Sequence, residues 1–158
     1  MEKKDMNTIN IRKLRKKESL PYDLLYLADE SVEAVAEYIP RSNCYVATIH
    51  GQVVGEYVLL PTRPFTVELV NVAVAESQQG KGIGKQLVLH AIETARTHGY
   101  RIIEVGTGNA GIGQLALYQK CGFQIYGVDV DFFKWYCPHP IVENGIPCLH
   151  MIRMKMEL

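Results

Sequence analysis

The amino-acid sequence predicts a mixed α/β fold, in which a mostly antiparallel sheet of six to seven strands is flanked by about four helices. Three observations support this prediction. Residues 44–60 have the pattern of a β-hairpin, residues 82–98 carry the longest helical pattern, and strand and helix patterns interleave along the chain. The 158 residues contain no repeat and no linker, so we expect one domain spanning residues 1–158.

The first half of the chain predicts an edge strand, two helices and a three-stranded meander. Residues 10–14 alternate weakly between apolar and polar side chains, which indicates an edge strand. Helical patterns follow at 19–29 and 30–39, and Pro40 ends the second of them. After the hairpin, a Pro-Thr-Arg-Pro connection leads to a third strand at 65–74, which we expect to complete an antiparallel meander.

The second half of the chain predicts two helices and three strands. The helix at 82–98 ends at Gly99, since glycine commonly terminates helices. The later segments are a strand at 100–108, a helix at 112–122, a strand at 123–136 and a last strand at 148–158. Between the last two strands, three prolines and an Asn-Gly pair predict a loop.

The charge balance argues against several classes of partner. Seventeen basic and seventeen acidic residues cancel, so we expect no nucleic acid and no anionic membrane surface as a partner. No apolar run approaches the roughly 20 residues that a membrane span requires. The first 17 residues have charge but no apolar core, which is unlike a signal peptide. We therefore expect a cytoplasmic protein.

The cysteines offer little evidence for a metal site. None of the four forms a Cys-x-x-Cys pair, so they are most simply free thiols. Cys137, His139, Cys148 and His150 place four potential metal ligands within 14 residues, which raises the question of zinc. Their one-residue spacers differ from the usual zinc spacing, and a plain hairpin is favoured over a metal centre.

The stretch "QQGKGIGKQL", residues 78–87, follows an apolar strand and leads into the long helix. The first turn of a helix has unpaired N–H groups, and its dipole adds partial positive charge. Glycines let such a backbone approach phosphate oxygens closely, although a flexible turn is the simpler interpretation. The predicted phosphate-binding residues are Gln79, Gly80, Lys81, Gly82, Ile83, Gly84 and Lys85.

Two familiar phosphate loops can be compared with the sequence. The turn at 80–85 lacks the Gly-Lys-Ser or Gly-Lys-Thr ending of a P-loop. "GTGNAG", from Gly106 to Gly111, matches a dinucleotide fingerprint, with Asp129 and Asp131 about 20 residues later for a ribose. That fingerprint normally stands on the first strand–helix turn and is followed by further such units, so this alternative is disfavoured.

Two motifs together resemble the GCN5-related N-acetyltransferase (GNAT) family. They are Gln79-x-x-Gly82-x-Gly84 after "VNVAV", and "LALYQKCGF" at 115–123, separated by a helix and a strand. "PYDLLYLAD", "LLPTRPF" and "VDVDFFKWY" are also similar to a bacterial subgroup of uncharacterised acetyltransferases. The resemblance implies a GNAT-like sheet in which the strands holding "VNVAV" and "IIEV" splay apart.

The resemblance further implies that the cofactor is acetyl-CoA. Its pyrophosphate would bind the backbone amides from Gln79 to Lys85. Its pantetheine arm would lie in the gap between the splayed strands, against the backbone of Val72, Ala73 and Val74, as an added strand does. A backbone N–H at that gap would polarise the thioester carbonyl.

Two side chains are predicted to carry the chemistry. Tyr118 aligns with the family's general acid, which returns a proton to the departing thiolate; simple aromatic packing is the alternative. Glu68 interrupts an apolar strand and is the candidate base, directly or through water. In a regular strand, the Glu68 side chain would share a face of the sheet with Val70, Val72 and Val74. Asn71 is expected on the opposite face.

One position departs from the family pattern. An asparagine commonly stands seven residues before the tyrosine and contacts the cofactor, whereas this sequence has Gly111 there. The nearest asparagine is Asn109, which a rearranged "TGNAGIG" loop would have to deliver to the cofactor arm.

The sequence therefore predicts an enzyme that transfers acetyl to a primary amine of a small molecule or peptide within a ternary complex. Cys121 has no adjacent base, which disfavours a covalent intermediate. A CoA-binding module without transfer activity is the alternative. We expect the acceptor to contact residues 20–40, the "PTRPF" loop and "DFFKWYCPHP", with Asp129, Asp131 and Glu68 attracting a cation. The family resemblance allows a homodimer through the C-terminal strands, which no residue here specifies.

Overall fold

A computed structural model describes residues 8–158, and these contain a seven-stranded sheet, a two-stranded hairpin and five α-helices. The strands are β1 Asn10–Lys13, β2 Asn43–Ile49, β3 Gln52–Arg63, β4 Thr66–Val74, β5 Ile102–Gly108, β6 Gln124–Asp129, β7 Val142–Glu143, β8 Ile146–Pro147 and β9 Met151–Glu157. The helices are α1 Tyr22–Ala28, α2 Val32–Tyr38, α3 Ile83–Thr97, α4 Ile112–Lys120 and α5 Phe132–Tyr136.

The large sheet has the order β1-β2-β3-β4-β5-β9-β6. Only β4 and β5 run parallel, and every other neighbouring pair in this sheet is antiparallel. The predicted mixed, mostly antiparallel sheet is therefore confirmed. None of the helices in residues 8–158 has both the length and the apolar character needed to cross a bilayer.

Helices cover both faces of the sheet. On one face, α3 buries Leu87, Val88 and Ala91 against the central strands, and α4 packs beside it. On the other face, α1 and α2 bury Leu25 and Val35 against β3 and β4. Burying one such aliphatic side chain stabilises the fold by about 1.5–3 kcal/mol, so the spacing of apolar residues along these helices fixes which face they turn to the sheet.

A β-bulge in β4 changes which side chains share a face. Asn71 pairs with Val58 and Leu69 with Leu59, so Val70 is an extra residue on β4. Glu68 pairs with Leu60, and Leu60 and Val58 both belong to the core beneath α1 and α2. Glu68 and Asn71 therefore share that face, because directly paired residues lie on the same side of a sheet.

The predicted assignment of the β4 side chains to the two faces of the sheet is thus wrong. Val72 pairs with Tyr57, which belongs to the opposite core, so Val72 lies across the sheet from Glu68. The prediction assumed strict alternation along the strand, and one extra residue reverses that alternation for every residue beyond it.

Three predicted segments also differ from the structure. Residues 123–136 are not one strand, since β6 ends at Asp129 and α5 begins at Phe132 after a left-handed Asp131. The predicted loop at 137–147 contains the hairpin β7–β8, whose Asn-Gly turn has positive φ at both residues. The predicted connection at 61–64 is mostly strand, because β3 continues to Arg63.

Glu56 is a fully buried carboxyl on β3, and neither of its oxygens has a hydrogen-bond partner among residues 8–158. Burial raises its pKa well above the usual range, because the charged form loses its hydration. The unfolded chain then releases this proton near pH 4.5, while the folded protein retains it until a higher pH. The contribution of Glu56 to the free energy of unfolding therefore falls as pH rises above about 4.5.

We expect Glu56→Gln to raise the stability at pH 8 by about 2 kcal/mol, or about 4–8 °C in Tm. At pH 4 the gain should vanish, because the wild-type carboxyl is then protonated in both states. Thermal unfolding across this pH range measures the difference. Glu33→Gln, on the exposed side of α2, is the control and should give no such gain. A gain that is equal at pH 4 and pH 8 would contradict the assignment.

Candidate active site

The parallel strands β4 and β5 separate halfway along their length. They pair from Thr66 to Leu69 on β4 and from Ile102 to Val105 on β5, after which both strands continue without pairing to each other. This opens a gap within the sheet, as the family resemblance implies.

Backbone groups of β4 point into this gap. The N–H of Ala75 donates to the carbonyl of Val54 at 2.8 Å, on the β3 side. Because successive residues of a strand point their N–H and C=O groups to opposite sides, Val72 and Val74 direct theirs away from β3 and into the gap. The carbonyl of Val74 accordingly accepts a hydrogen bond from Gln79 Nε2 at 3.0 Å. Ala73 directs its own backbone groups towards β3.

The glycine turn lies at the end of the same strand. Gly80 and Gly82 have φ values of 77° and 79°, which glycine adopts without strain. A Cβ at either position would meet no atom within 4 Å, so space above the turn is open. The residues that open α3, from Ile83 to Lys85, have N–H groups without partners inside the helix. An open turn that exposes N–H groups is therefore continuous with the gap between β4 and β5.

Tyr118 reaches the same place from α4. Its side chain is 5% exposed, packs edge-on to Phe123 with ring centroids 6.0 Å apart, and lines the cleft at the gap. Burial raises the pKa of its phenol. Tyr118 therefore holds its proton at neutral pH and can act as a donor, not as a base.

A cleft of about 450 Å³ extends from the gap across the face that α1 and α2 cover. Its lining comes from the helices α1, α2, α4 and α5 with the α1–α2 connection, from the strands β3, β4, β5 and β9, and from the segment 137–148 that follows α5. Two of the three segments predicted to contact the acceptor contribute to this lining, 20–40 and "DFFKWYCPHP". The "PTRPF" loop does not, and its Phe65 instead stacks beneath the Arg101 guanidinium at 4.4 Å.

Glu68 lies in the cleft beside Arg153. Its Oε1 is 3.4 Å from the guanidinium, which also reaches Asp129 at 3.3 Å, and the Glu68 side chain is 18% exposed. Burial raises the pKa of Glu68, and the positive charge of Arg153 offsets part of that rise. A carboxylate whose pKa is raised is a stronger base than an ordinary carboxylate, and its position in the cleft is compatible with a general base.

A hydrogen-bonded chain runs from the β4 bulge to α5. Asn71 Nδ2 donates to the Tyr38 hydroxyl at 3.0 Å, and that hydroxyl donates to Asp29 at 3.1 Å. Tyr136 also donates to Asp29, at 2.6 Å. Sequence analysis did not identify Asp29, Tyr38 or Tyr136. The helical spacing of Phe132 and Tyr136, which stack at 4.7 Å, was the one local signal for this cluster.

Asn109 has a different environment from the predicted one. Its side chain accepts from the N–H groups of Leu149 and His150 and donates to the carbonyl of Pro147, tying the end of β5 to the segment before β9. The predicted contact with the cofactor arm would require these bonds to open. At Gly111, a Cβ would lie 2.8 Å from Thr107 Oγ1, which explains why no asparagine fits there without a shift.

The glycines of "GTGNAG" have packing roles that disagree with the dinucleotide alternative. Gly106 and Gly108 lie within β5, not in a turn. A Cβ at Gly106 would lie 2.7 Å from the Met151 sulfur, and one at Gly108 would clash with the Cys148 sulfur. These glycines make room for neighbouring side chains and do not shape a phosphate loop.

The residues considered for zinc have other contacts. His139 Nε2 lies 2.7 Å from Glu30, and His150 Nδ1 accepts from the N–H of Asp131 at 2.9 Å. Asp131 also pairs with Lys134 at 3.1 Å. Within residues 8–158, no group of three or more potential ligands is arranged to hold a metal ion.

A profile described as "Acetyltransferase (GNAT) family" matches residues 10–123. The chain belongs to the GNAT family. The uncharacterised N-acetyltransferase YvbK of Bacillus subtilis (strain 168) is 56% identical over 137 residues, covering 87% of this chain and 88% of YvbK. A similarity of this extent includes the whole of the glycine turn and α4.

Two solved GNAT structures carry the cofactor. An acetyltransferase of Bacillus subtilis in complex with CoA has a TM-score of 0.90 at 51% identity, covering 96% of this chain and 99% of its own. A GNAT acetyltransferase of Elizabethkingia anophelis with acetyl-CoA bound has a TM-score of 0.93 at 44% identity, covering 98% and 100%. The cofactor is acetyl-CoA, and the inward-facing amides of β4 and the open turn before α3 fit its extended arm and diphosphate.

Proposed function

We propose that this GNAT protein transfers acetyl from acetyl-CoA to a primary amine of a small molecule or peptide by direct attack in a ternary complex. The main support for this proposal is that Tyr118 and Glu68 line one cleft at the point where β4 and β5 separate. Acetyl-CoA supplies the activated acyl group as a thioester. In this proposal, the chain's own backbone and side chains supply the base, the acid and the N–H group that stabilises the carbonyl oxygen.

The proposed roles follow from chemistry and position. Glu68 takes a proton from the incoming ammonium, directly or through water, and leaves the amine free to attack. A backbone N–H of β4 in the gap stabilises the charge that develops on the carbonyl oxygen. The N–C bond forms as the C–S bond breaks, and Tyr118 returns a proton to the sulfur. The nitrogen loses two protons: the first goes to Glu68 before attack, and the second, lost as the amide forms, restores the Tyr118 phenol directly or through water after Tyr118 has protonated the sulfur. The net balance is one proton released to solvent when Glu68 is deprotonated again.

The raised pKa of Tyr118 is compatible with this donation. Burial raises the pKa of a thiol as well as that of a phenol, as it raises the pKa of Cys44 to about 12. A CoA thiolate released as deep in the protein as Tyr118 also loses hydration, which raises the pKa of its thiol. The pKa of the thiol and the pKa of the phenol therefore rise together.

Direct attack is favoured over a covalent enzyme intermediate. Cys121 stands outside the cleft, and burial raises the pKa of its thiol, with Lys85 offsetting part of the rise. A protonated thiol is a weak nucleophile, so Cys121 has neither the position nor the reactivity for acetyl transfer.

The proposal is tested by incubating the protein with acetyl-CoA and a panel of primary amines. We expect CoA thiol release that depends on the amine, with the acetylated amine detected by mass spectrometry in equal amount. NADH should not raise the Tm, whereas acetyl-CoA should. Release that is independent of every amine, without an acetylated product, would refute the transferase assignment.

The role of Glu68 predicts a pH dependence. In wild type, kcat/KM should rise with pH through the raised pKa of Glu68, because only the carboxylate can accept the proton. We expect Glu68→Gln to lower kcat about tenfold at pH 7.5 and to remove that limb of the profile. Asp129→Asn is the matched control, since Asp129 contacts the same arginine but lies outside the cleft lining. An unchanged profile in the Glu68 variant would eliminate it as the base.

A further inference from the structure

We propose that the acceptor is a cationic amine with an apolar or aromatic body and no carboxylate, and that Asp29 is its countercharge. The inference deepens the proposed function and depends on it. It rests on the charge of the cleft, the absence of an ion pair at one carboxylate among residues 8–158 and the aromatic wall beside it.

The cleft carries more acid than base. Its lining contains the acidic residues Asp29, Glu30, Glu37, Glu68 and Glu143 against the basic residues Arg41 and Arg153. Both arginines are already engaged, Arg41 with Glu37 at 2.8 Å and Arg153 with Glu68 at 3.4 Å. The lining contributed by residues 8–158 therefore has an excess of negative charge. It offers no arginine or lysine without an ion-pair partner to bind an anionic group on the acceptor.

Asp29 is a cleft carboxylate held by neutral hydrogen-bond donors. Its Oδ2 accepts from the hydroxyls of Tyr136 and Tyr38, and its Oδ1 accepts from the N–H of Ser31 at 3.0 Å. No ion pair forms with it among residues 8–158. These bonds hold the carboxylate in place from two helices without neutralising it, and a carboxylate has lone pairs for a further donor.

Aromatic rings form the wall next to Asp29. Tyr38 is buried, Phe132 stacks on Tyr136, and Phe132 lies 4.8 Å from Trp135 between ring centroids. Trp135 lines the cleft yet remains 70% exposed, which places a large apolar surface at the entrance. Ring faces attract cations and apolar bodies alike, so this wall complements an alkylammonium or arylalkylammonium.

Asp29 is also connected to the reaction centre. Through Tyr38 it is two hydrogen bonds from Asn71, which lies on the bulged part of β4 and on the same face as Glu68. An ammonium drawn in by Asp29 thus enters on the side where Glu68 accepts its proton. A carboxylate carried on the acceptor would add negative charge to the same face and be repelled.

The test uses pairs of amines that differ only in a carboxylate: tyramine with tyrosine, tryptamine with tryptophan, and cadaverine with lysine. We expect kcat/KM to be at least about a hundredfold higher for the decarboxylated members. Asp29→Asn should lower kcat/KM for those amines at least about tenfold, mainly through KM, while the KM for acetyl-CoA stays unchanged. Asp23→Asn, an exposed acid on α1 outside the cleft, is the matched control and should have no effect.

Tyr136→Phe removes one hydrogen bond to Asp29 but keeps its charge, and we expect it to preserve the discrimination. This second variant keeps the test informative if Asp29→Asn does not fold. Equal or higher kcat/KM for the carboxylated members, or loss of discrimination in Tyr136→Phe, would overturn the inference while leaving the acetyltransferase proposal intact. Failure of every amine to be acetylated would instead refute both.

Discussion

Replacing Tyr118 by phenylalanine is expected to lower kcat by about a hundredfold to a thousandfold, which is the usual contribution of a positioned general acid. The acetyl-CoA dissociation constant should change by less than about twofold. Phenylalanine keeps the ring that packs edge-on to Phe123, so only the proton donor is lost. The leaving thiolate must then take its proton from water, which a buried gap supplies poorly.

Single-turnover kinetics and isothermal titration of acetyl-CoA separate these two quantities. Tyr57→Phe is the matched control, because it removes a buried phenol from the same core but outside the cleft. Its hydroxyl lies 2.7 Å from His90 Nδ1 and 2.9 Å from Thr94, so its loss should reduce Tm but not kcat. A Tyr118 variant with full activity would leave Tyr118 as a packing residue. A wild type that binds acetyl-CoA but transfers to no amine would support the binding-module alternative.

Substituting Gly82 by aspartate is expected to raise the dissociation constant of acetyl-CoA about a hundredfold relative to the asparagine variant. Gly82 has a φ of 79° at the start of α3, a conformation that Asn and Asp tolerate better than other residues. The two variants have the same size and similar backbone cost, so they differ only in one negative charge beside the proposed diphosphate site. Like charges repel by an amount that salt reduces.

Titration of acetyl-CoA at low and high ionic strength measures this effect. We expect the difference between Gly82→Asp and Gly82→Asn to shrink in about 0.5 M salt. Dephosphorylated pantetheine analogues, which lack the diphosphate, should bind both variants equally. If the two variants bound acetyl-CoA alike, the diphosphate would have to lie elsewhere. The same two substitutions at Gly99, a left-handed glycine that follows the opposite end of the 15-residue helix α3, are the controls.

Parts of the fold and site could be predicted because their signals are local. The turn from Gln79 to Lys85 combines a strand, glycines and a helix start within a short stretch, and each of these features has its own backbone requirement. Tyr118 stands one turn before the Cys-Gly-Phe that ends its helix, so its place above the sheet follows from helical spacing. The seven-stranded sheet followed from alternation and turn residues.

The rest depends on contacts that no local pattern contains. The extra residue at Val70 is ordinary in sequence, yet it places Asn71 on the face of Glu68. Asp29 and Tyr136 are 107 positions apart, and only the packing of α5 against the α1–α2 connection brings them together. The helix α5 was missed because five adjacent bulky residues suit a strand equally well. The left-handed backbone of Asp131, which precedes the helix, is set by tertiary contacts and has no local sequence signal.

The separation of β4 from β5 also makes the stability of the protein depend on the concentration of its ligand. The sheet is incomplete by itself, since the N–H groups of Val72 and Val74 have no strand beside them among residues 8–158. The proposed pantetheine arm would make the missing contacts in this slot. A ligand at about a hundred times its dissociation constant adds about 2.7 kcal/mol to the free energy of unfolding. The lifetime of this acetyltransferase in a cell should therefore rise and fall with the acetyl-CoA pool, independently of whether any acceptor is present.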